Sequence, residues 1–115
     1  MKHKMHLNNG QFILMKKGMK TIELRLNDEK RELLKVNDLI EFTNEKTEET
    51  LDTKIVALHK YPNFEELYKH FDKIALGYDK SDLVDPKDME KYYSLSEQEK
   101  YGVVGIEIKL LDIKK

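Results

Sequence analysis

Apolar residues in this chain recur at two-residue intervals in short runs, and that pattern restricts the fold more than any other feature. From Met1 to Leu7, Met, His, Met and Leu hold the odd positions, with Lys, Lys and His between them. From Thr21 to Leu26, Ile22, Leu24 and Leu26 alternate with Thr21, Glu23 and Arg25. A two-residue period belongs to a half-buried strand, whose side chains point alternately to its two faces. Leu39 to Thr43 and Thr50 to Tyr61 read as two further strands, joined as a hairpin through the polar residues Asn44 to Glu49. Val103 to Leu111, rich in Val and Ile, reads as a closing central strand.

Helical signals fall between these runs. Asn8 and Asn9 supply N-cap chemistry to a short helix holding Phe12, Ile13 and Met15. Lys16 and Lys17 lie in its last turn and Gly18 is its stop. Asn27 to Lys35 is charged, with Leu33 and Leu34 as its apolar anchors, and reads as a helical turn or an ordered loop. Asn63 and Glu66 make a capping-box pattern before Phe64, Leu67, Tyr68 and Phe71, one helix face that continues through Ile74, Ala75 and Tyr78. Gly77 marks a break. Asp85-Pro86 opens a helix through Met89, Tyr92 and Tyr93, and Ser94 with Glu97 forms a further capping box before Gly102. Five short strands with helices in two places predict an α+β fold, a small closed sheet or barrel with helices packed on it. At 115 residues, positions 1–115 are expected to form one domain.

Composition narrows the chemistry. There is no cysteine, which removes disulfides, thiolate zinc sites and cysteine nucleophiles. The net charge of −1 points away from an indiscriminate polyanion binder. It is nevertheless a sum over unlike parts. Residues 1–35 hold nine basic and four acidic residues, a balance of +5, whereas residues 36–115 hold 12 against 18, a balance of −6. The longest near-apolar run, Val103 to Leu111, is interrupted by Glu107 and Lys109, and the Met-Lys-His-Lys-Met-His opening has no apolar signal region. A soluble cytoplasmic protein is the expectation. The histidines His3, His6, His59 and His70 lack metal-ligand spacing, so neither a metal nor a cofactor is expected. Asp82, Asp85 and Asp88 read as capping and solvated charge.

Residues 18–25 read Gly-Met-Lys-Thr-Ile-Glu-Leu-Arg, a G-x-K-x-x-E-x-R pattern. Lys20 sits on the connection before a strand, and Glu23 and Arg25 share the strand face opposite Ile22, Leu24 and Leu26. Taken as residues alone, the simpler reading is an exposed Glu23–Arg25 ion pair of little consequence and a solvated Lys20. The alternative is a small polar constellation in which Arg25 meets a phosphate and Glu23 a base edge. The pattern resembles that of the ASCH domains, a branch of the PUA-like superfold of RNA-associated barrels. The similarity extends through Arg25 to Arg31, through Lys35-Val36-Asn37-Asp38-Leu39-Ile40-Glu41-Phe42, and to Tyr101 to Ile108. Asn37 stands where that family usually has Gly, and Asn tolerates a left-handed turn.

The resemblance implies a PUA-like β-barrel of about five strands with helices packed at one side, and a cleft lined by Lys20, Glu23 and Arg25. It also implies RNA or a small nucleoside or nucleotide as the ligand of a cationic cleft. Lys20, Thr21, Glu23, Arg25 and His3 are the expected ligand-binding residues, His3 as a half-buried histidine near the cleft. One branch of the family looks like a small amidohydrolase acting on acetylated cytidine, with K-T-x-T-x-R where this chain has Lys20-Thr21-Ile22-Glu23-Leu24-Arg25. Glu23 then replaces a threonine, and Lys20 and Glu23 would be the catalytic pair. A ribonuclease, with Glu23 or His3 as proton acceptor, is a third reading. Tyr68 and Tyr78 read as core by their helical spacing, whereas Tyr61, Tyr92, Tyr93 and Tyr101 are each either stacking platforms or core.

Overall fold

The computed structural model describes residues 1–111. Its centre is a five-stranded sheet built from β1 (Lys2–Leu7), β2 (Ile22–Leu26), β3 (Leu39–Asn44), β4 (Thr50–Tyr61) and β5 (Val103–Leu110), in the order β1-β3-β4-β5-β2. The β1–β3 pair is parallel and the other three pairs are antiparallel. Strand β4 is long enough to serve two neighbours. Its first part pairs with β3 and its second with β5, and the ladder shifts register between Ile55 and Ala57. A bulge of this kind bends a strand and increases its twist, which curls the sheet.

The curl stops short of a closed barrel. Strands β1 and β2 are the two sheet edges, and no ladder joins them among the described residues. The result is a half-barrel with a seam. Residues from β1, β3, β4 and β5 converge on its inner face: Met5, Leu7, Ile40, Phe42, Ile55, Val104, Ile106 and Ile108 form one buried cluster. Helix α1 (Asn9–Lys16) fills that interior with Phe12 and Met15, its first turn capped by the Asn8 side chain.

The second cluster lies on the other face of β2 and β5. Ile22, Leu24, Leu26 and Val103 are covered there by Phe64, Leu67 and Leu76. These last come from α2 (Phe64–Tyr68) and α3 (Lys73–Leu76), which belong to an insertion completed by a 3-10 turn (Pro86–Lys91) and α4 (Leu95–Tyr101). The contact is tight because position 105 is glycine: a Cβ there would lie 3.0 Å from Ile22 Cγ2 and 3.4 Å from Leu67 Cδ1. No helix among the described residues is long and apolar enough to cross a membrane.

Three expectations need correction. The face running from Phe64 to Tyr78 is not one helix, because the Asp72 side chain accepts from the Ile74 amide and restarts the chain as α3. Asp85-Pro86 starts a 3-10 turn, not an α-helix, although Asp85 caps it as expected. In the charged stretch, a 3-10 turn over Arg31–Leu33 buries Leu34 but leaves Leu33 exposed, so only one of the two leucines anchors it. Asn37 does adopt the left-handed conformation, at φ 82°.

Gly77 is the backbone position the site depends on most. Its φ is +104°, and a Cβ would fall 2.2 Å from Gln11 Oε1 and 3.1 Å from Lys20 Nζ. The Gly77→Ala variant is therefore expected to lose roughly 1–3 kcal/mol from backbone strain alone, and more from the clash. Placing Gly77→Ala in a Gln11→Ala background should recover the steric part only. Urea unfolding of the single and double variants measures both; equal losses in the two backgrounds would contradict the contact.

Candidate functional site

The site grows out of the seam. Across the β2–β5 ladder, Glu23 lies opposite Ile106 and Arg25 opposite Val104. Residues directly paired in an antiparallel ladder share a face, so Glu23 and Arg25 point to the inner side of the half-barrel, not to solvent. They occupy the edge of the interior where no sixth strand covers it among the described residues. Glu23 is 6% exposed and Lys20 2%.

Lys20 reaches this point from the connection between α1 and β2. Its Nζ donates to the Ile22 carbonyl at 2.9 Å and to the Leu76 carbonyl at 3.1 Å, and lies 3.2 Å from Glu23 Oε1. An ammonium has three protons, and these three acceptors use them all. Arg25 Nε donates to Glu23 Oε2 at 2.7 Å, and Arg25 Nη2 donates to the His6 carbonyl at 2.8 Å. One carboxylate thus lies between two cations. Lys20 ties β2 to the end of α3, and Arg25 ties it to β1 across the seam.

Burial pushes the Lys20 ammonium below the ordinary lysine value, against the opposing pull of Glu23. For Arg25 burial also works downward, but the Glu23 carboxylate and Tyr93 outweigh it and hold the guanidinium above its usual value.

Beside this cluster is a cavity of about 580 Å³. Glu23 and Arg25 form its floor, His6, Asn8 and Gln11 line it from the β1–α1 side, and Tyr68, Leu76, Gly77 and Tyr78 line it from the insertion. Its mouth is edged by Asp82, Leu83, Asp88, Lys91, Tyr92 and Tyr93. Gln11 Nε2 donates to the Gly77 carbonyl at 3.0 Å, so the barrel side grips the carbonyls of both Leu76 and Gly77. Tyr78 donates its hydroxyl proton to Asp88 Oδ2 at 2.9 Å, which leaves Tyr68 to donate to the Tyr78 oxygen at 2.8 Å.

Of the five expected ligand-binding residues, Lys20, Glu23 and Arg25 line the cavity, whereas Thr21 and His3 do not. The Thr21 amide and carbonyl are both engaged in backbone bonds, to the Ala75 carbonyl and the Ile108 amide. The His3 ring meets Asp38 Oδ2 at 2.8 Å, near the start of β1, and it is His6 at the other end of that strand that reaches the cavity. Tyr92 and Tyr93 edge the cavity; Tyr61 instead stacks on His70 with ring centroids 4.9 Å apart.

The expected cationic cleft is corrected as well. Lys20, Arg25 and Lys91 face Glu23, Glu45, Asp82 and Asp88, three fixed cations against four carboxylates. The insertion, from the acidic part of the chain, supplies the acidic rim. Sequence reasoning also missed Tyr68, Tyr78, Gln11 and Asp88. The two tyrosines have core spacing and do pack on the second cluster, but their hydroxyls end at the cavity. Asp88 looked like one more solvated charge, and Gln11 carried no signal. Among the described residues, no group of three or more His, Cys, Asp or Glu side chains is placed to hold a metal ion.

A curled five-stranded half-barrel with its helices divided between the interior and one outer face is the PUA-like architecture. Within it, the ASCH domain sequence profile matches residues 5–112, and the chain belongs to that family. Two solved structures are similar over almost their whole length. One is hypothetical protein PH0355, with 30% identity and a TM-score of 0.81, the match covering 96% of this chain and 100% of that one. The other is protein PF0455 from Pyrococcus furiosus, with 31% identity and a TM-score of 0.70, covering 97% and 99%. The ASCH domain from Lactobacillus crispatus shares the fold at 15% identity and a TM-score of 0.64, over 94% of this chain and 79% of that one. No curated protein matches the chain.

Removing Lys20 should leave Glu23 buried with half its compensation, so Lys20→Met is expected to cost about 3–5 kcal/mol in chemical denaturation. Adding Glu23→Gln should cost much less than its loss measured alone; strict additivity would show that the two groups do not interact.

Burial raises the hydroxyls of Tyr68, Tyr78 and Tyr93 above the ordinary tyrosine value of 10.0, with the bonded Tyr68–Asp88 environment adding to the effect at Tyr78. A group raised in the folded state gives stability that is complete below its unfolded value and is lost as pH climbs through the folded one. Stability should therefore fall above about pH 10. An ultraviolet titration of the six tyrosines should be biphasic, its late phase coinciding with unfolding. A single phase at the ordinary value would contradict this.

Proposed function

We propose that the cavity binds an unpaired base of single-stranded RNA, or the corresponding nucleoside or nucleotide. The observation that carries this reading is a ligand-sized cavity walled by tyrosines whose floor is a cation–carboxylate–cation cluster with both cations committed to the one carboxylate. Its volume of about 580 Å³ is within the usual range for small-molecule sites. Tyr92 and Tyr93 offer aromatic faces, and bases stack on such faces with little sequence preference. Glu23 and Gln11 offer acceptors to the amino groups of a base edge, and Arg25 remains the floor's cation for a neighbouring phosphate. The carboxylates at the rim oppose a long polyanion, which argues for single, splayed bases over duplex.

A hydrolase acting on acetylated cytidine has one observation in its favour, the lowered Lys20 ammonium. Against it, all three Lys20 protons are engaged and Thr21 lies off the cavity. Binding is the better supported reading.

Calorimetric titration with the four ribonucleoside 5′-monophosphates and a short single-stranded oligoribonucleotide tests it. Tyr92→Ala should weaken binding by about 1–3 kcal/mol, and Arg25→Ala should weaken the nucleotides more than the nucleosides. Affinity for a single nucleotide should fall less than about tenfold between about 50 and 200 mM salt, as few phosphates are neutralised. No binding by folded protein would sink the proposal. Turnover of acetylated cytidine that vanishes in Lys20→Ala would put the hydrolase first.

A further inference from the structure

Residues 79–91 combine firm ends with a loosely held middle. On the N-terminal side, the Leu76 and Gly77 carbonyls are gripped by Lys20 and Gln11, and Gly77 takes the left-handed turn. On the C-terminal side, Met89 and Tyr93 pack on the second core cluster, and Gln98 Nε2 donates to the Tyr93 carbonyl at 3.1 Å. Between these anchors, the backbone bonds of residues 79–88 are local, from Asp82 to Asp79 and from Asp88 to Asp85. No backbone bond joins residues 79–88 to the rest of the protein among the described residues. What holds the middle is polar and exposed: Lys73 Nζ donates to the Lys80 and Asp82 carbonyls, and Tyr78 donates to Asp88.

The side chains carried by this stretch are in the wrong place for a resting loop. Leu83 is 93% exposed and Tyr92, just beyond it, 57%, yet both edge the cavity. Apolar surface left in water beside a cavity is buried if the segment moves inward over an occupant, and that burial favours the closed position. Few buried contacts and solvent-exposed tethers are also the marks of a segment with low local stability.

We propose that residues 79–88 form a strap that closes over an occupant of the cavity, turning at Gly77 and Met89, with the Tyr78–Asp88 hydrogen bond holding its resting position. The inference rests on the cavity being a nucleoside or nucleotide site. On closure Leu83 bears on the exposed side of the ligand beside Tyr92, opposite the Glu23–Arg25 floor. The strap thereby adds apolar contact to a site whose fixed walls are largely polar.

The test uses two properties of the full chain: it has no tryptophan, and Lys80 and Lys87 lie exposed within the strap. Leu83→Trp introduces the chain's only tryptophan, excited apart from the tyrosines at long wavelength, at a solvent-exposed position. The probes are the four ribonucleoside 5′-monophosphates, with binding measured separately by calorimetry. Saturation is expected to shift the Trp emission to the blue and, in the wild type, to slow tryptic cleavage at Lys80 and Lys87 by at least about fivefold, since cleavage tracks the open population. In ligand-free protein, Tyr78→Phe should speed that cleavage at temperatures well below its unfolding transition. Binding without protection or blue shift overturns the strap and leaves the binding reading standing. Absence of binding to any probe overturns both. Cleavage of Tyr78→Phe no faster than wild type overturns the strap in either case.

Discussion

The half-barrel depends on one buried carboxylate. Its sheet ends in two edges, β1 and β2, that no ladder joins among the described residues, and an open edge over a hydrophobic interior would admit water and leave polar backbone unpaired. Glu23 points into that gap and holds Lys20 and Arg25 in place, and these two cations make the connections the backbone does not. Lys20 takes the Leu76 carbonyl of the insertion, and Arg25 takes the His6 carbonyl of β1. Burying three charged groups carries a desolvation penalty of several kcal/mol per ion, offset only where the pairing and hydrogen bonding are close to complete. Here they are: each Glu23 oxygen faces a cation, and every Lys20 proton has an acceptor. The intervals of three and two residues between Lys20, Glu23 and Arg25 are thus a packing requirement before they are a binding motif.

That arrangement shapes the chemistry beside it. A lysine and an arginine at the floor of a cavity would ordinarily make it an anion site. With both committed to Glu23 the floor is close to +1, and three further carboxylates, Glu45, Asp82 and Asp88, against the one cation Lys91, reverse the sign of the whole. What remains for a ligand is an aromatic wall, acceptors, and part of one guanidinium. This suits the edge and face of a base better than a string of phosphates, and it places selectivity in shape and hydrogen bonding.

Much of the fold was legible before any tertiary information. The alternating runs became β1 to β5 in the expected order, and Asn8, Asn63, Asp85 and Ser94 cap where local pattern predicts. Misreadings occurred where a second contact competed with a local rule. The spacing from Phe64 to Tyr78 is a valid helix face, but Asp72 caps within it and splits it into two short helices packed on one surface. Tyr68 and Tyr78 obeyed the core pattern and also lent their hydroxyls to the cavity, a double role that periodicity does not express. Of the motif, Lys20, Glu23 and Arg25 line the cavity, but neighbours in sequence were poor guides to neighbours in space. Thr21 is adjacent to Lys20 and lies off the cavity, while Gly77 and Asp88 are far along the chain and line it.

The sequence by itself determined the strands, their order along the chain and most of the caps. These follow from local geometry, since the strand period and the capping side chain are properties of a few consecutive residues. Only the tertiary structure decided that the polar face of β2 turns inward, that the sheet stays open at one seam, and that acidic residues of the insertion face the basic end of the chain. Those depend on which strand pairs with which and on the bulge at Ile55 to Ala57 that sets the curl. The +5 and −6 halves of the sequence meet across the cavity, and the site's charge is set by that meeting, not by either half.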